Sequence, residues 1–479
     1  MRIVRSVVLV LFAGGAFLQP GHSQDLGDRM VHSRDTGSSS VHSQDTGSLS
    51  VQAIFISDIH FNPLYDTVLI EELRQHASVD WDGLFRKSAV TGYGPYGKDS
   101  NYPLLQSLLE GLAHECSHPR YIFISGDVLA HDLGKKCPPG WSNMDKEDFI
   151  RKTMEFAAAS IHDKFPDAII LPCIGNNDNY GGDYTVAPAF LKMFAETWLP
   201  YMHFDRNTDS VRCRESLLAG GFYNYPLSIH PAVNMLALNS TSFSPQYTAD
   251  KPLPAQLRWL NDQLEADTAA TCWMLFHIPP GVDAFKTDHG KDKWTTQQVY
   301  EDTAPPVLLW QADTTRCFLD IVGKYGSRIA GMLAGHSHKD EFRLLKTGTD
   351  GGVMAYIQIL PSVCMSNFNN PAFRIATLDG KSLRLWGYRT WWLDPAVPGG
   401  AWQYEYEVKD AVPEEPVTVH TIEKMVEKLH GDAAFRARFF DRFNTQDRKG
   451  QAVNIANQQV YMAALEYPDR EEYKQQLKK

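Results

Sequence analysis

Five short apolar segments of this chain have the composition of buried strands, and most of them run directly into a polar motif. Apolar residues at helical spacing lie between these segments, as at Leu104, Leu105, Leu108 and Leu112. Strands that alternate with helices are typical of an α/β protein whose functional residues lie at the carboxyl ends of the strands. The five segments cover residues 51–57, 121–125, 168–172, 235–238 and 272–276.

The chain changes character after His338. Three segments are predicted to be antiparallel strands that complete a second sheet: 354–360, 373–378 and 383–391. Asp379-Gly380 is a hairpin-turn sequence between two of them. From about residue 395 the chain is rich in proline and glycine and then becomes helical, because Ile422, Met425, Val426 and Leu429 share one helix face. We predict that this tail packs on the body and shapes the entrance of the site.

The polar motifs after the strands supply a full set of ligands for two metal ions. Carboxylate and amide oxygens mixed with imidazoles suit divalent transition metals such as zinc, manganese or iron. Two such ions a few ångströms apart are suited to the hydrolysis of phosphate esters. Each motif occurs often by chance, but their joint occurrence at strand ends indicates a site. The residues concerned are Asp58, His60, Asp127, Asn176, His277, His336 and His338, with His131 beside them.

Composition limits the classes of function. The chain has 479 residues, of which 43% are hydrophobic, so it can build a substantial core. Its formal charge of −11 argues against a protein that binds the nucleic-acid backbone. A small phosphorylated substrate remains compatible with that charge, because bound cations supply a local positive field.

Residues 1–23 have the layout of a secretory signal peptide. Arg2 and Arg5 precede an apolar run from Val7 to Leu18, and small residues stand at Gly21 and Ser23. The alternative is an uncleaved anchor, but the run is shorter than the ~20 residues that span a bilayer. No later stretch is long and apolar enough to cross a membrane. The signal therefore predicts a secreted, periplasmic or lysosomal protein.

A decapeptide repeat follows, and we interpret residues 24–50 as a flexible spacer because the repeat is polar and rich in serine, glycine and aspartate. The alternative is weak metal or surface binding through His22, His32 and His42. Seven cysteines lie beyond the signal, and in an exported protein some are expected to pair, with at least one left over.

The order of these motifs resembles the calcineurin-like metallophosphoesterases, and within them the acid sphingomyelinase-like phosphodiesterases. The resemblance runs from about Ile54 to about Trp392. It implies two mixed β-sheets packed as a sandwich between helices, in layers α/β/β/α, over residues 51–394, with a mainly helical extension over 395–479. The motifs that carry it are Asp58-Ile59-His60, residues 126–132, Gly175 to Asp178, His277 to Gly281, residues 335–342, Asp99-Ser100, Pro361-Ser362 and Asn370-Pro371.

The resemblance also implies residue roles. Asp58, His60 and His338 are expected to hold the first metal, and Asp127 to bridge. The second metal is expected at Asn176, His277 and His336. His131 matches the histidine that protonates the leaving group, after attack by a hydroxide shared between the metals. The alternative for His131 is a loop histidine that bonds to a neighbour.

Several positions depart from the family pattern. Asn177 stands where relatives have a histidine that stabilises the phosphate; an asparagine can donate a hydrogen bond but carries no charge. Lys98 stands where many relatives have a cysteine, and Cys364 where they have threonine, so no disulfide pattern can be transferred. Acid sphingomyelinase also carries a cysteine-rich lipid-handling domain before its catalytic domain, and residues 24–50 contain no cysteine.

The sequence therefore predicts an exported, metal-dependent phosphoric diester hydrolase that resembles the sphingomyelinase-like group. Its expected substrate is a small phosphodiester or a phospholipid headgroup, and its expected cofactor is two Zn²⁺ ions, with Mn²⁺ or mixed iron and zinc as alternatives. The other functions considered are an endopolyphosphatase, a phosphomonoesterase and a non-catalytic exported binding protein. Expected substrate contacts, with core packing as the alternative for the aromatic ones, are Tyr180, Asp183, Tyr184, His289 and Trp294.

Overall fold

The structure is a computed structural model of the chain. It describes residues 50–227, 233–247, 253–266, 268, 270–289, 305–347, 352–397, 399–447, 453 and 457–478. Within these residues the chain from Ser50 onward belongs to one unit, Ser48–Lys479. The predicted signal peptide, nearly all of the predicted spacer and Trp294 lie outside the described residues, so the predictions about them stay predictions.

Two six-stranded mixed sheets form the centre of the fold, which confirms the predicted α/β sandwich. The first sheet has the order β12-β11-β10-β1-β2-β3. Its strands β1, β2 and β3 are parallel, and β10 pairs antiparallel with β1. Its members are β1 (Val51–Ile56), β2 (Tyr121–Ile124), β3 (Ile169–Pro172), β10 (Ala372–Leu378), β11 (Leu385–Trp392) and β12 (Gln403–Glu407).

The second sheet has the order β4-β5-β6-β7-β9-β8. Its central strands β5, β6, β7 and β9 are parallel, and an antiparallel strand lies at each edge. Its members are β4 (Tyr223–Pro226), β5 (Val233–Ala237), β6 (Thr271–Leu275), β7 (Ile329–Ala334), β8 (Glu341–Thr347) and β9 (Gly352–Ile359).

The prediction that all three late strands complete a second sheet is wrong for two of them. Only β9 lies in the second sheet, whereas β10 and β11 extend the first sheet on the side of β1. The hydrophobic pattern predicts that a strand exists but not its partner, because apolar strands fit either sheet equally well. The hairpin between β10 and β11 is present, and Asp379 Oδ1 accepts hydrogen bonds from Ser382 N and Ser382 Oγ at 2.7 Å each.

Helices cover the outer faces of both sheets, and side chains at their first turns satisfy free backbone N–H groups. Asn101 caps α3 and Ser142 forms a capping box with Asp145 at the start of α5. The helices are α1 (Ile70–Gln75), α2 (Trp81–Phe85), α3 (Tyr102–Glu115), α4 (Leu133–Lys136), α5 (Asn143–Lys164), α6 (Pro188–Trp198), α7 (Asn207–Gly220), α8 (Leu253–Ala266), α9 (Ala284–His289), α10 (Ala312–Tyr325), α11 (Val408–Ala411), α12 (Val419–Gly431), α13 (Ala433–Phe443), α14 (Gln458–Glu466) and α15 (Arg470–Leu477).

The region after residue 394 is mainly helical, as predicted, but it also contributes β12 to the edge of the first sheet. Among the described residues, no helix combines the length and the apolar character that a membrane span needs.

Aromatic side chains fill the space between the two sheets. Phe55 and Phe123 of the first sheet stack on each other with ring centroids 5.4 Å apart. Both rings meet Trp273 of the second sheet at 5.9 Å. A side chain at Gly331 would collide with that indole, so glycine makes room for it on the neighbouring strand β7. These contacts fix the two sheets face to face.

The expectation that some cysteines pair is wrong. All seven cysteines lie in the described part of the chain, and none forms a disulfide. Six of them are buried in the core, where a thiol packs as a small apolar group. Burial raises the pKa of Cys116 and Cys137 to about 11 each, which disfavours the reactive thiolate. Cys317 alone among the seven is exposed.

Candidate metal centre

Loops that follow five strands, β1, β2, β3, β6 and β7, carry the predicted ligands to one place. Because β1, β2 and β3 are parallel, and so are β6 and β7, the loops after them emerge at the same edges of their sheets. Five of the predicted ligands have left-handed backbone conformations, with φ between 45° and 73°. Such conformations cost of order 1–3 kcal/mol each and cluster at functional sites. These residues are Asp58, His60, Asp127, His336 and His338.

The first group of side chains comes together around Asp58. His338 Nε2 lies 3.1 Å from Asp58 Oδ1 and 3.2 Å from His60 Nε2. His60 Nε2 also lies 3.4 Å from Asp127 Oδ2. The predicted first-metal ligands are therefore adjacent, and Asp127 adjoins them.

The second group meets the same carboxylate oxygen of Asp127 that faces His60. His277 Nε2 is 3.2 Å from Asp127 Oδ2 and 3.0 Å from Asn176 Oδ1. The same amide oxygen lies 2.8 Å from His336 Nδ1. The predicted second-metal ligands thus form their own cluster, and Asp127 is the residue common to both groups.

The outer nitrogens of the histidines are held by neighbouring groups. His60 Nδ1 contacts the carbonyl oxygen of Leu129 at 3.0 Å, and His277 Nδ1 contacts that of Ser125 at 2.7 Å. A carbonyl oxygen only accepts hydrogen bonds, so Nδ1 of both rings carries a proton. Both Nε2 atoms are turned toward the carboxylates, which is how outer hydrogen bonds orient metal-binding histidines.

Burial and the neighbouring carboxylates act in opposite directions on these histidines. Burial alone would lower the pKa of His277, but the carboxylates of Asp127 and Asp58 outweigh it and raise that pKa to about 10. Burial lowers the pKa of His338 to about 4, although Asp58 opposes this. Metal ligands of this type bind in their deprotonated forms, so a divalent cation would replace the proton that the carboxylates attract to His277. Two oxygen- and nitrogen-rich groups that share Asp127 therefore fit a pair of divalent metals.

Close packing of the loops depends on glycine. A Cβ atom at Gly175 would overlap the carboxylate of Asp127, and one at Gly335 would overlap Ser57 Oγ. Asp178 joins two loops, since its Oδ1 accepts from Leu129 N and its Oδ2 from Gly175 N at 3.0 Å each. Sequence reasoning gave Asp178 no role, although it follows the ligand motif directly.

His131 stands beside the first group. Its ring stacks on His60 with centroids 3.8 Å apart and planes 12° apart. Its Nδ1 lies 2.6 Å from Asp99 Oδ1, and the ammonium of Lys136 bonds the other oxygen of Asp99. Burial opposes ionisation of Asp99, but the hydrogen bond from His131 and the nearby charges hold its pKa below the ordinary range. Sequence reasoning placed Asp99 in a family motif without seeing this contact.

Asn177 faces Asp127. Its side-chain Nδ2 donates to Asp127 Oδ2 and its backbone N donates to Oδ1, each at 2.8 Å. Both oxygens of the shared carboxylate are thereby oriented by one residue. Asn177 also lines the pocket described next.

A pocket of about 320 Å³ opens beside both groups. Of the predicted substrate contacts, Asp183 and Tyr184 line it: Asp183 accepts from Asn176 Nδ2 at 2.6 Å, and Tyr184 Oη lies 3.4 Å from His336 Nε2. Tyr180 instead packs edge-on against Phe190, and His289 stacks on Phe285. Neither of these two lines the pocket.

Sequence reasoning missed most of the pocket wall away from the ligands. Its members share no spacing, because they come from helix α9, strand β8, separate loops and the helical extension, so no pattern along the chain could have grouped them. They are Phe285, Lys286, Leu309, Lys339, Arg343, Phe368, Phe443 and Tyr461.

Comparisons with known proteins agree with this geometry. No protein-family model matches the chain. It is 24% identical over 360 residues to a sphingomyelinase phosphodiesterase D of Dictyostelium discoideum, covering 69% of this chain and 72% of that protein. It is 23% identical to the acid sphingomyelinase-like phosphodiesterase 3b of Homo sapiens, covering 80% and 82%. It is 22% identical to a cyclic GMP-AMP phosphodiesterase of Mus musculus, covering 67% and 66%.

The homologues of this chain are therefore acid sphingomyelinase-like phosphodiesterases, which confirms the resemblance predicted from the motifs. The prediction of an enzyme that hydrolyses phosphoric esters with the help of metal ions is confirmed at the level of that class.

Proposed function

We propose that this chain is an exported phosphoric diester hydrolase that works with two divalent metal ions, zinc in the first instance. The observation that carries the proposal is the pair of ligand groups that share Asp127, with His131 stacked against one of them. The relatives named above are phosphodiesterases, two of them named for sphingomyelinase activity or resemblance and one for cyclic GMP-AMP.

In this proposal the chain holds the first ion with Asp58, His60 and His338. It holds the second with the residues around Asn176 Oδ1, namely Asn176, His277 and His336. Asp127 adjoins both groups and is the shared ligand. Bound divalent cations lower the pKa of water toward ~7 and offset the negative charge that a phosphate gains during hydrolysis.

His131 acts on the leaving group. Asp99 accepts a hydrogen bond from Nδ1, which fixes the orientation of the ring. The proton on Nε2 is then available to the oxygen of the departing alcohol, whose expulsion as a bare alkoxide is slow. Asn177 holds the carboxylate of Asp127 in place and contributes no proton.

The pocket indicates a small diester. Its volume of about 320 Å³ lies at the lower end of the ~300–1,000 Å³ typical of small-molecule sites. Exposed rings at Phe285 and Phe368 stand on its wall and suit the apolar part of an organic substituent. A headgroup diester or a nucleotide diester both meet these conditions.

Export is the part of the proposal that depends on residues 1–23. Their layout of basic residues, apolar run and small residues supports cleavage after Ser23. Mass spectrometry of the protein recovered from the medium or periplasm of its host tests this directly. A mature chain that begins at Gln24 supports export, and an intact N-terminus inside the cell contradicts it.

Initial rates on bis(p-nitrophenyl) phosphate and p-nitrophenyl phosphate test the reaction, using zinc-loaded protein at about pH 5 and about pH 7. A clear preference for the diester supports the proposal and justifies trials with sphingomyelin and nucleotide diesters. A preference for the monoester would assign a phosphatase to the same scaffold. No turnover of either ester would contradict the proposal and leave polyphosphate hydrolysis or simple binding.

A further inference from the structure

The loop from Gly335 to Asp340 is strained at the two histidines that it carries. His336 has φ of 73° and His338 has φ of 64°, and both are left-handed conformations that favour glycine. Side chains stay in such conformations only when the surrounding structure holds them there. Contacts at the two ends of this loop, together with the bond of 3.4 Å from Ser362 N to the carbonyl oxygen of His338, hold both imidazoles in their positions.

The beginning of the loop is held by the site itself. Gly335 N donates to the carbonyl oxygen of His277 at 2.8 Å, and His336 N contacts the carboxylate of Asp58 at 3.1 Å. These contacts involve other predicted ligands, so they add no support from outside the metal centre.

The end of the loop is held by a separate set of buried contacts, which we call the Asp340 clamp. It consists of Asp340, Arg374, Tyr406 and the backbone carbonyl of Phe443. Tyr406 Oη lies 3.0 Å from each carboxylate oxygen of Asp340, and the guanidinium of Arg374 bonds one of them. Asp340 N donates to the carbonyl oxygen of Phe443 at 3.1 Å.

The clamp is closed to solvent. Asp340, Arg374 and Tyr406 are 5%, 1% and 4% exposed. Arg374 lies over the ring of Tyr388 at 4.3 Å, and Arg442 lies over the ring of Tyr406 at the same distance. Buried hydrogen bonds to charged groups are strong and directional, so the clamp can define one position for Asp340.

Two of the clamp's members come from the C-terminal extension. Tyr406 lies on β12 and Phe443 ends α13, and both follow residue 394. Neither residue belongs to the ligand groups around Asp58 and Asp127. The same extension reaches the neighbouring loop, since Asn370 Nδ2 donates to Thr445 O at 2.9 Å and Thr445 Oγ1 donates to Asn370 O at 2.7 Å.

We propose that Asp340 is a positioning residue for His336 and His338, and that the C-terminal extension sets the metal affinity of the centre through Tyr406. This inference rests on the proposed metal-dependent function. Asp340, Arg374 and Tyr406 do not line the pocket and transfer no proton. The clamp fixes the end of the strained loop so that two imidazoles remain directed at their ligand groups.

Two tyrosines of β12 give a matched test. Tyr406 and Tyr404 each donate a hydroxyl hydrogen bond to an aspartate, but Tyr404 is about half exposed and bonds Asp410 at 3.1 Å. Zinc affinity is measured by competition with a chromophoric chelator, without any substrate. We expect Tyr406→Phe to weaken zinc binding by about tenfold, the lower end of the effect of outer contacts on metal affinity. Tyr404→Phe is expected to bind zinc as the wild type does.

Asp340→Asn provides a second variant that keeps the shape of the side chain. We expect it to weaken zinc binding at least as much as Tyr406→Phe, while the metal-free protein keeps a cooperative thermal transition. Wild-type zinc affinity in both variants would overturn the proposal. Equal weakening in Tyr406→Phe and Tyr404→Phe would also overturn it, because a general loss of stability would then be the cause.

The test of the clamp can be interpreted independently of the test of the proposed reaction. If the wild type binds two zinc ions and Tyr406→Phe binds them more weakly, the clamp is supported even when no diester is hydrolysed. If diester hydrolysis is present and zinc affinity is the same in wild type and both clamp variants, the reaction is supported and the clamp is overturned.

Discussion

His131 and Asp99 are joined by a hydrogen bond of 2.6 Å between Nδ1 and Oδ1, while the imidazole ring lies flat against His60. The bond and the stacking fix both the tilt and the rotation of the ring. Of its two nitrogens, only Nε2 is left for the substrate. This is the arrangement that a proton donor needs, because the carboxylate and the stacked ring prevent the imidazole from turning away.

His131→Ala is therefore expected to lower the hydrolysis rate by an amount that depends on the leaving group of the substrate. Hydrolysis of an alkyl diester with a poor leaving group should fall by about 10²–10⁴-fold, the usual contribution of general acid catalysis. A p-nitrophenyl diester needs little protonation and should lose far less activity. Both rates are measured on the same zinc-loaded preparation, and equal losses would mean that His131 is not the acid.

Asp99→Asn is expected to keep the fold and weaken the acid. An amide is a weaker hydrogen-bond acceptor and holds the ring of His131 less firmly in position to give its proton to the leaving group, so kcat for the alkyl diester should fall across the pH profile. The p-nitrophenyl diester serves as the internal control, since its rate depends less on that proton. An unchanged profile for the alkyl diester would show that Asp99 only supports the loop.

Asp127→Asn is expected to remove metal and activity together. The shared carboxylate lies against both ligand groups, and an amide offers one neutral oxygen in place of two charged ones. Zinc content after dialysis is the direct measurement, with Asp148→Asn on the surface of α5 as the control. Two zinc ions retained by the variant would contradict the role of Asp127 as the bridge.

The sequence predicted the strands and the motifs that follow them because both signals are local. A run such as residues 121–124 must be buried, and Asp127 comes a few residues later, so the sheet edge and the site could be predicted together. The contact between His131 and Asp99 could not be predicted, because 32 residues separate the two side chains and no local pattern links them.

The pairing of strands that are far apart in the sequence was the other feature of the fold that could not be predicted. The strand β10 has an apolar pattern that fits either sheet, and only the assembled structure shows it beside β1. The pocket wall could not be predicted for the same reason, since Tyr461 lines the same pocket as Asp127 from a helix far along the chain. The number of cysteines was misleading as a sign of disulfides, because six of the seven thiols are buried and unpaired.

The thiols give a simple prediction. In the native protein a thiol reagent such as Ellman's reagent should titrate one cysteine rapidly, because Cys317 is exposed and the other six are buried. All seven should react after unfolding in denaturant without reductant. Cys317→Ser should abolish the rapid phase. Fewer than seven reactive thiols in the unfolded wild type would reveal a disulfide and contradict the structure.

Glu405 gives a prediction about pH. Burial, with the nearby carboxylate of Asp340, raises the pKa of Glu405 from 4.5 to about 8, and one of its oxygens is buried without a hydrogen-bond partner. The folded state therefore binds a proton that the unfolded state releases. Its stabilising effect is full below about pH 4.5 and is lost as the pH rises through about 8.

The free energy of unfolding in urea, measured at about pH 5 and about pH 8, tests this effect. Glu405→Gln keeps a neutral side chain at every pH, so its stability relative to wild type should increase by about 1–4 kcal/mol between the two conditions. Glu407→Gln on the same strand is the control. No difference between Glu405→Gln and wild type in their pH dependence would contradict a protonated Glu405.

Both ligand groups draw their members from both sheets. Asp58 and His60 follow a strand of the first sheet and His338 follows a strand of the second, while Asn176 and His277 are divided in the same way. Each bound ion would thus link one sheet to the other, in addition to the aromatic contacts that already hold the two sheets together. Scarcity of metal would therefore weaken the association of the two sheets as well as the chemistry. The lifetime of this protein in a metal-poor environment would then be set by how long the two sheets stay packed without the ions.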